Sequence, residues 1–157
     1  MKAIYAGSFD PFTNGHLDIV KKASKIFDEI CIVIAVNANK SRTYNSDEMC
    51  EAIEQTLLWN DINNCKVGTY NGLIVELTRG CKCKYLIRGL RNAADYNYEE
   101  NMAKVNSMLD PNVETIYFRA DNDTISSSLV RELYGLGHDV SSYVPRPVLK
   151  LMEGPRL

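Results

Sequence analysis

Residues 30 to 36, Ile-Cys-Ile-Val-Ile-Ala-Val, form the longest unbroken apolar run in the chain. The run is far short of the roughly 20 residues that a membrane helix needs. It is also too short and too uniformly apolar for a surface helix. Glu29 to Val36 therefore reads as a strand buried on both faces, as in a parallel sheet. A parallel neighbour is reached only through a crossover, usually a helix, so this segment demands strand and helix in alternation around it.

The flanking sequence supplies that alternation. Lys2 to Ala6 reads as a strand, and Leu17, Val20, Ala23, Ser24 and Phe27 fall on one helical face behind it. Ser46 is expected to cap a helix running to about Trp59. A strand at Lys66 to Tyr70, a short helix from Leu73 to Arg79, a strand at Tyr85 to Ile87 and a long helix from Ala93 to Leu109, closed by Pro111, come next. Thr115 to Phe118 is the fifth strand, Ser126 to Tyr134 a helix ended by Gly135 and Gly137, and the segment after Pro145 a short last helix. The expected fold is α/β: a single Rossmann-like domain over residues 1–157, with a parallel five-stranded sheet and helices on both faces. At 45% hydrophobic and 24% charged residues, the chain has the composition of one globular core.

Composition also narrows the function. Net charge is −2, and no stripe of Lys and Arg lies along a predicted helix, which disfavours nucleic acid as a partner. Five cysteines are an odd number, and no basic-then-apolar leader follows Met1, so reduced thiols and a cytoplasmic location without membrane attachment are expected. Cys81-Lys82-Cys83 lacks the two-residue spacer and the second ligand pair of a zinc site.

In parallel α/β folds, ligands bind beyond the carboxyl ends of the strands. Ser8 and His16 follow the first strand, Lys40 the second, Arg88 and Arg91 the fourth, and Ser126 to Ser128 the fifth. Cations, hydroxyls and an imidazole thus gather at one edge of the sheet and point to an anionic ligand. Gly7 allows a tight exit from the first strand, Asn14-Gly15 a turn into the helix, and that helix would offer its first amides to phosphate. Neither a Walker loop nor a Gly-x-Gly-x-x-Gly fingerprint is present.

Residues 7–16, Gly-Ser-Phe-Asp-Pro-Phe-Thr-Asn-Gly-His, resemble the signature of the nucleotidyltransferase superfamily, (Thr/Ser)-x-Gly-His. Together with "IRGLRNAADYNYE" and "ISSSLVRE", in that order and spacing, they resemble the bacterial phosphopantetheine adenylyltransferase family over essentially the whole chain. That family joins ATP to 4'-phosphopantetheine, giving dephospho-coenzyme A and pyrophosphate. By this resemblance Ser8 and Lys40 hold the acceptor phosphate, His16 contacts the α-phosphate of ATP, and these three are the catalytic set. Arg88 also faces phosphopantetheine, and Ile74 sits at the pantetheine position. Ser8, Phe9, His16, Gly89, Leu90, Arg91 and Glu99 match ATP contacts, as do Asn122, Asp123, Thr124, Ile125, Ser126, Ser127 and Ser128. Tyr98 and Asn106 are further candidates on the long helix. The resemblance also implies Mg²⁺ with ATP, a homohexamer, and coenzyme A as a feedback ligand.

The two substrates together bring about six negative charges at neutral pH. Lys40, Arg88 and Arg91 are the local cations expected to meet them. The acceptor phosphate is itself the nucleophile, so the task is to hold two anions in line and stabilise the charge that grows at phosphorus. The chain departs from the family after Lys40, reading Ser-Arg-Thr-Tyr-Asn-Ser-Asp-Glu-Met where relatives commonly carry a proline-containing stretch, and loop geometry there is expected to differ. Asn122-Asp123 replace bulkier residues, which changes the packing expected around adenine or ribose.

Simpler readings stand beside these. His16 fits a solvated helix start, and His138 a loop or a cap. One of Ser126 to Ser128 is expected to cap its helix, which is compatible with binding phosphate. Arg91 and Asp95, at i and i+4, fit a surface ion pair, and Tyr96 and Tyr98 cannot share one helix face. The rival functions are adenylyl transfer to a pyridine mononucleotide, cytidylyl transfer, and a non-catalytic nucleotide or coenzyme A sensor.

Overall fold

The computed structural model describes residues 1–121 and 125–154. Its elements run β1 (Lys2–Gly7), α1 (Asn14–Ser24), β2 (Glu29–Ala35), α2 (Ser46–Trp59), β3 (Cys65–Tyr70), α3 (Ile74–Gly80), β4 (Tyr85–Leu90), α4 (Ala93–Leu109), β5 (Glu114–Arg119), α5 (Ser127–Gly135) and α6 (Arg146–Glu153). The strands form one parallel sheet in the order β3-β2-β1-β4-β5. The order reverses between β1 and β4. That reversal opens a crevice at the carboxyl edge, where ligands of such sheets bind.

Side chains alternate across the sheet. Ala3, Tyr5, Ile30, Ile32, Ile34 and Ile87 face a large core that also takes in α1, α2, α5 and α6. Ile4, Ala6, Val33 and Leu86 point the other way, into a smaller core flanked by α3. Each strand of this kind is apolar on both sides because helices cover both faces. All five thiols are free, and that of the buried Cys83 donates to the Lys2 carbonyl at 3.1 Å.

Four local expectations need correction. Strand β4 continues three residues past Ile87, because Arg88, Gly89 and Leu90 pair with Tyr117, Phe118 and Arg119 of β5. Pairing with a neighbour overrides the poor strand propensity of Arg-Gly. Helix α2 is capped by Asn45, whose side chain accepts from the amides of Asp47 at 2.9 Å and Glu48 at 3.0 Å, and Ser46 is its first helical residue. Asn14 and Gly15 already belong to α1, with Thr13 as the cap. Phe27 is buried with the α1 face but lies beyond the end of the helix.

Candidate active site

The loop from β1 to α1 doubles back on itself. Phe9 has φ 43°, and its ring lies so close under Gly7 that a Cβ there would meet Phe9 Cε1 and Cζ at 3.1 Å. Any side chain at position 7 would push the Phe9 ring back by a few tenths of an ångström. The Phe9 ring in turn stands edge-on to His16, 4.9 Å between centroids, while Phe12 lies 5.5 Å and Tyr5 6.4 Å from the same imidazole.

His16 completes a reciprocal cap on α1. Its amide donates to Thr13 Oγ1 at 3.3 Å, and its Nδ1 accepts from the Thr13 amide at 2.9 Å. Because a backbone N–H can only donate, Nδ1 must be the bare nitrogen and Nε2 must carry the proton. Burial in the aromatic cage, with the charges of Arg91 and Arg88 adding to it, pulls the imidazole pKa down to about 3. His16 is therefore neutral at physiological pH. No buried side-chain nitrogen among the described residues lacks a partner, so Nε2–H opens on the cavity that the ring lines.

That cavity holds about 240 Å³ at the crevice between β1 and β4. The structure brings Ser8 and Phe9 to it from the first loop, His16 from the start of α1, and Arg88, Gly89, Leu90 and Arg91 from β4 and its end. Glu99 of α4 and Ile125, Ser126 and Ser127 at the start of α5 complete the set. Ser126 is the cap of α5, its hydroxyl accepting from the Leu129 amide at 3.1 Å. Ser127 donates its hydroxyl to the Pro11 carbonyl at 2.8 Å, and Arg131 donates to the Asp10 carbonyl. Helix α5 thus holds the first loop in place. Ser128 stands outside, exposed and accepting from Arg131 at 3.3 Å. Asn122, Asp123 and Thr124 lie outside the described residues.

A second cavity of about 240 Å³ adjoins the first, and Ala6, Arg88 and Glu99 line both. Ile74, Tyr98 and Asn106 lie here, with Leu73 and Met102. The wall between the two spaces is an ion pair. Arg88 Nε and Nη2 each donate to a Glu99 carboxylate oxygen at 2.7 Å, and Nη1 donates to the Ala6 carbonyl at 2.7 Å. Burial disfavours the Arg88 charge, but the hydrogen bonds and field of Glu99 outweigh it and raise the guanidinium above its ordinary pKa.

Of the three cations expected to meet the substrates, two are already paired, and Arg91 is paired as its i,i+4 spacing to Asp95 suggested. Arg88 is held by Glu99, Arg91 is held by Asp95 at 3.0 Å, and Lys40 is exposed on a loop outside the first cavity's lining. What this cavity offers directly is hydrogen-bond donors: Nε2–H of His16 and the hydroxyls of Ser8 and Ser126. Tyr5, Asp10, Arg42 and Arg131, which shape the site, escape sequence reading, and Thr13 is legible only as the first residue of the signature. The one hint is spacing, since Arg131 falls one turn past Ser127 on α5.

Comparison with known proteins gives this geometry a context. Residues 4–133 match the Cytidylyltransferase-like family. A phosphopantetheine adenylyltransferase of Clostridium beijerinckii is 40% identical over 149 residues, covering 94% of this chain and 92% of its own. One of Syntrophomonas wolfei is 43% identical over 153 residues, covering 96% and 94%. Among solved structures, a Vibrio parahaemolyticus protein assigned as a nicotinate-nucleotide adenylyltransferase superposes with a TM-score of 0.70 over 97% of this chain and 91% of that one. At 15% identity it speaks for the fold alone. Identity of 40% and 43% over nearly the full length of both partners places the chain in the Cytidylyltransferase-like family and, within it, among the phosphopantetheine adenylyltransferases.

Proposed function

We propose that this chain transfers the adenylyl group of ATP to 4'-phosphopantetheine, releasing pyrophosphate and dephospho-coenzyme A. The observation that carries this reading is the pair of adjoining cavities that share Ala6, Arg88 and Glu99: a reaction that joins two substrates needs two sites close enough for the reacting groups to meet. ATP occupies the cavity of His16, Arg91 and Ser126, and the pantetheine arm lies along Ile74, Tyr98 and Asn106. The acceptor phosphate meets the α-phosphorus between them, near Ser8, Arg88 and Lys40.

No protein nucleophile is required. The acceptor oxygen attacks in line, the bond from the α-phosphorus to the pyrophosphate oxygen breaks, and the electron pair leaves with pyrophosphate. His16 donates Nε2–H to the α-phosphate oxygen whose charge grows in the transition state. A neutral donor fixed by its cap keeps its proton, so it acts through a hydrogen bond rather than by acid catalysis. Among the described residues no three His, Cys, Asp or Glu side chains cluster as metal ligands, and Glu99 and Asp95 are occupied by arginines. This donor set fits Mg²⁺ that arrives on the phosphate oxygens of ATP, where it offsets their charge.

Copies associate through α4, on which only Glu99 is buried while Tyr98, Val105 and Met108 are 64%, 46% and 82% exposed. The family's hexamer and its coenzyme A feedback at the pantetheine cavity accord with this face. No helix of the described residues is long and apolar enough to cross a membrane, and the reaction is assigned to the cytoplasm.

The test is pyrophosphate release from ATP and Mg²⁺ with 4'-phosphopantetheine, with nicotinamide mononucleotide, or with no acceptor. Turnover is expected with phosphopantetheine alone. His16→Ala is expected to lose about 3 kcal/mol of transition-state stabilisation, roughly a hundredfold in kcat, while still binding ATP. Turnover with the mononucleotide would move the chain to a different acceptor class, and ATP binding without turnover would make it a sensor.

A further inference from the structure

Arg42 lies two residues beyond Lys40, in the stretch where the chain departs from its family's pattern, and its side chain is only 16% exposed. Its guanidinium turns away from solvent toward the first loop. Nη1 donates to the Ser8 carbonyl at 2.6 Å, Nη2 to the Phe9 carbonyl at 3.4 Å, and Nε to the Tyr44 carbonyl at 3.0 Å. The Asp10 carboxylate, 3.8 Å away, works in the opposite direction. It leaves the first loop and accepts from the amides of Thr43 at 2.9 Å and Tyr44 at 3.0 Å.

The two loops are thereby clasped from both sides. One carries Ser8, the other Lys40, and both groups are assigned to the same acceptor phosphate. Arg42 itself does not line the ATP cavity. Its directed donors go to main-chain carbonyls, so its influence on a substrate runs through the loops it joins. The planar fork spreads its donors rigidly enough to reach carbonyls on two separate loops, whereas the three donors of an ammonium radiate from one atom on a flexible stem.

We propose that Arg42 is a positioning residue for adenylyl transfer, setting the separation of Ser8 and Lys40 at the acceptor phosphate. The inference rests on the proposed function for its substrate. Its physical content, a guanidinium clasp between residues 8–10 and 42–44, stands apart from that reading.

Arg42→Ala, Arg42→Lys and the unaltered protein are compared by steady-state kinetics, with and without methylguanidine, and by amide hydrogen exchange. Arg42→Ala is expected to raise KM for 4'-phosphopantetheine about tenfold or more, since small misplacements of binding groups carry such costs, and KM for ATP by clearly less, through Ser8 and Phe9 alone. Methylguanidine is expected to restore the Ala variant, and Lys not to replace Arg. The Thr43 and Tyr44 amides are expected to exchange about tenfold faster, with Ile32 of β2 unchanged. If Arg42→Ala does not fold, Arg42→Gln takes its place, keeping most of the stem and losing the fork.

Unchanged kinetics, equal rises in both KM values, or rescue by Lys would overturn the positioning role. If the unaltered protein turns over no acceptor, it is the proposed function that falls. Exchange then decides the clasp: faster exchange at Thr43 and Tyr44 supports it, and unchanged exchange overturns it.

Discussion

Helix α2 buries Met49 and Ile53 completely, and Ala52 and Leu57 almost so, in a core of 23 buried residues among those described. Helix α4 is longer by three residues, yet on the other face of the sheet it buries Glu99 alone, beside a core of six. The first helix is fixed by apolar area; the second is tied to the sheet by a bidentate ion pair and by the Tyr117 hydroxyl donating to Glu100 at 3.1 Å. Hydrophobic packing is non-directional and tolerates no ligand-sized gap. A directed polar tie leaves space beside it, and the second cavity lies there. The packed face thus sets His16 in place, while the open face keeps room for the pantetheine arm.

The largest test of this contrast is Ile53→Ala, expected to destabilise the fold by about 4 kcal/mol in urea unfolding, as a fully buried large-to-small change does. Glu99→Ala is expected to cost about 2 kcal/mol, less than a fully buried pair would, because the Arg88 side chain is 35% exposed. It should also raise KM for phosphopantetheine, as the wall between the cavities loosens. A cost below 0.5 kcal/mol would show that α4 is held by something other than this pair.

A smaller effect is expected from His16. Its pKa is about 3 when folded, against an ordinary value near 6.5 in the unfolded chain, so the unfolded state takes up the proton first on acidification. The stability due to neutral His16 is complete above about pH 6.5 and is lost as pH falls toward 3. Between about pH 7 and pH 5.3 the unaltered protein should lose about 1.5 kcal/mol more than His16→Asn, measured by parallel denaturation. Equal losses would mean that the imidazole is not desolvated. Smallest of all, Met108→Ser on the open face should change protomer stability by less than about 0.5 kcal/mol while weakening self-association in sedimentation.

The sheet and its helices were legible because they rest on local periodicity: the β-branched run at 30–36 admits one structure, and the long helix from Ala93 to Leu109 matches its sequence reading at both ends. The gathering of Ser8, His16 and Arg91 at the carboxyl edge was legible too, since it follows from strand direction. Polar pairing was legible only at short range, where Arg91 and Asp95, four residues apart, read as the ion pair they form. Nothing in the spacing of Arg88 and Glu99, eleven residues apart across a turn, reveals that they neutralise one another, and Lys40 keeps its place on the edge without reaching the cavity lining.

The order and type of the elements, the edge that carries chemistry and the family signature are properties of the linear chain, because each depends on residues near one another in sequence. The charge of His16, the wall between the cavities and the Arg42 clasp belong to the tertiary structure alone. Each depends on which dipoles and charges meet once water has been removed, and desolvation is a property of the folded surroundings rather than of any residue taken by itself.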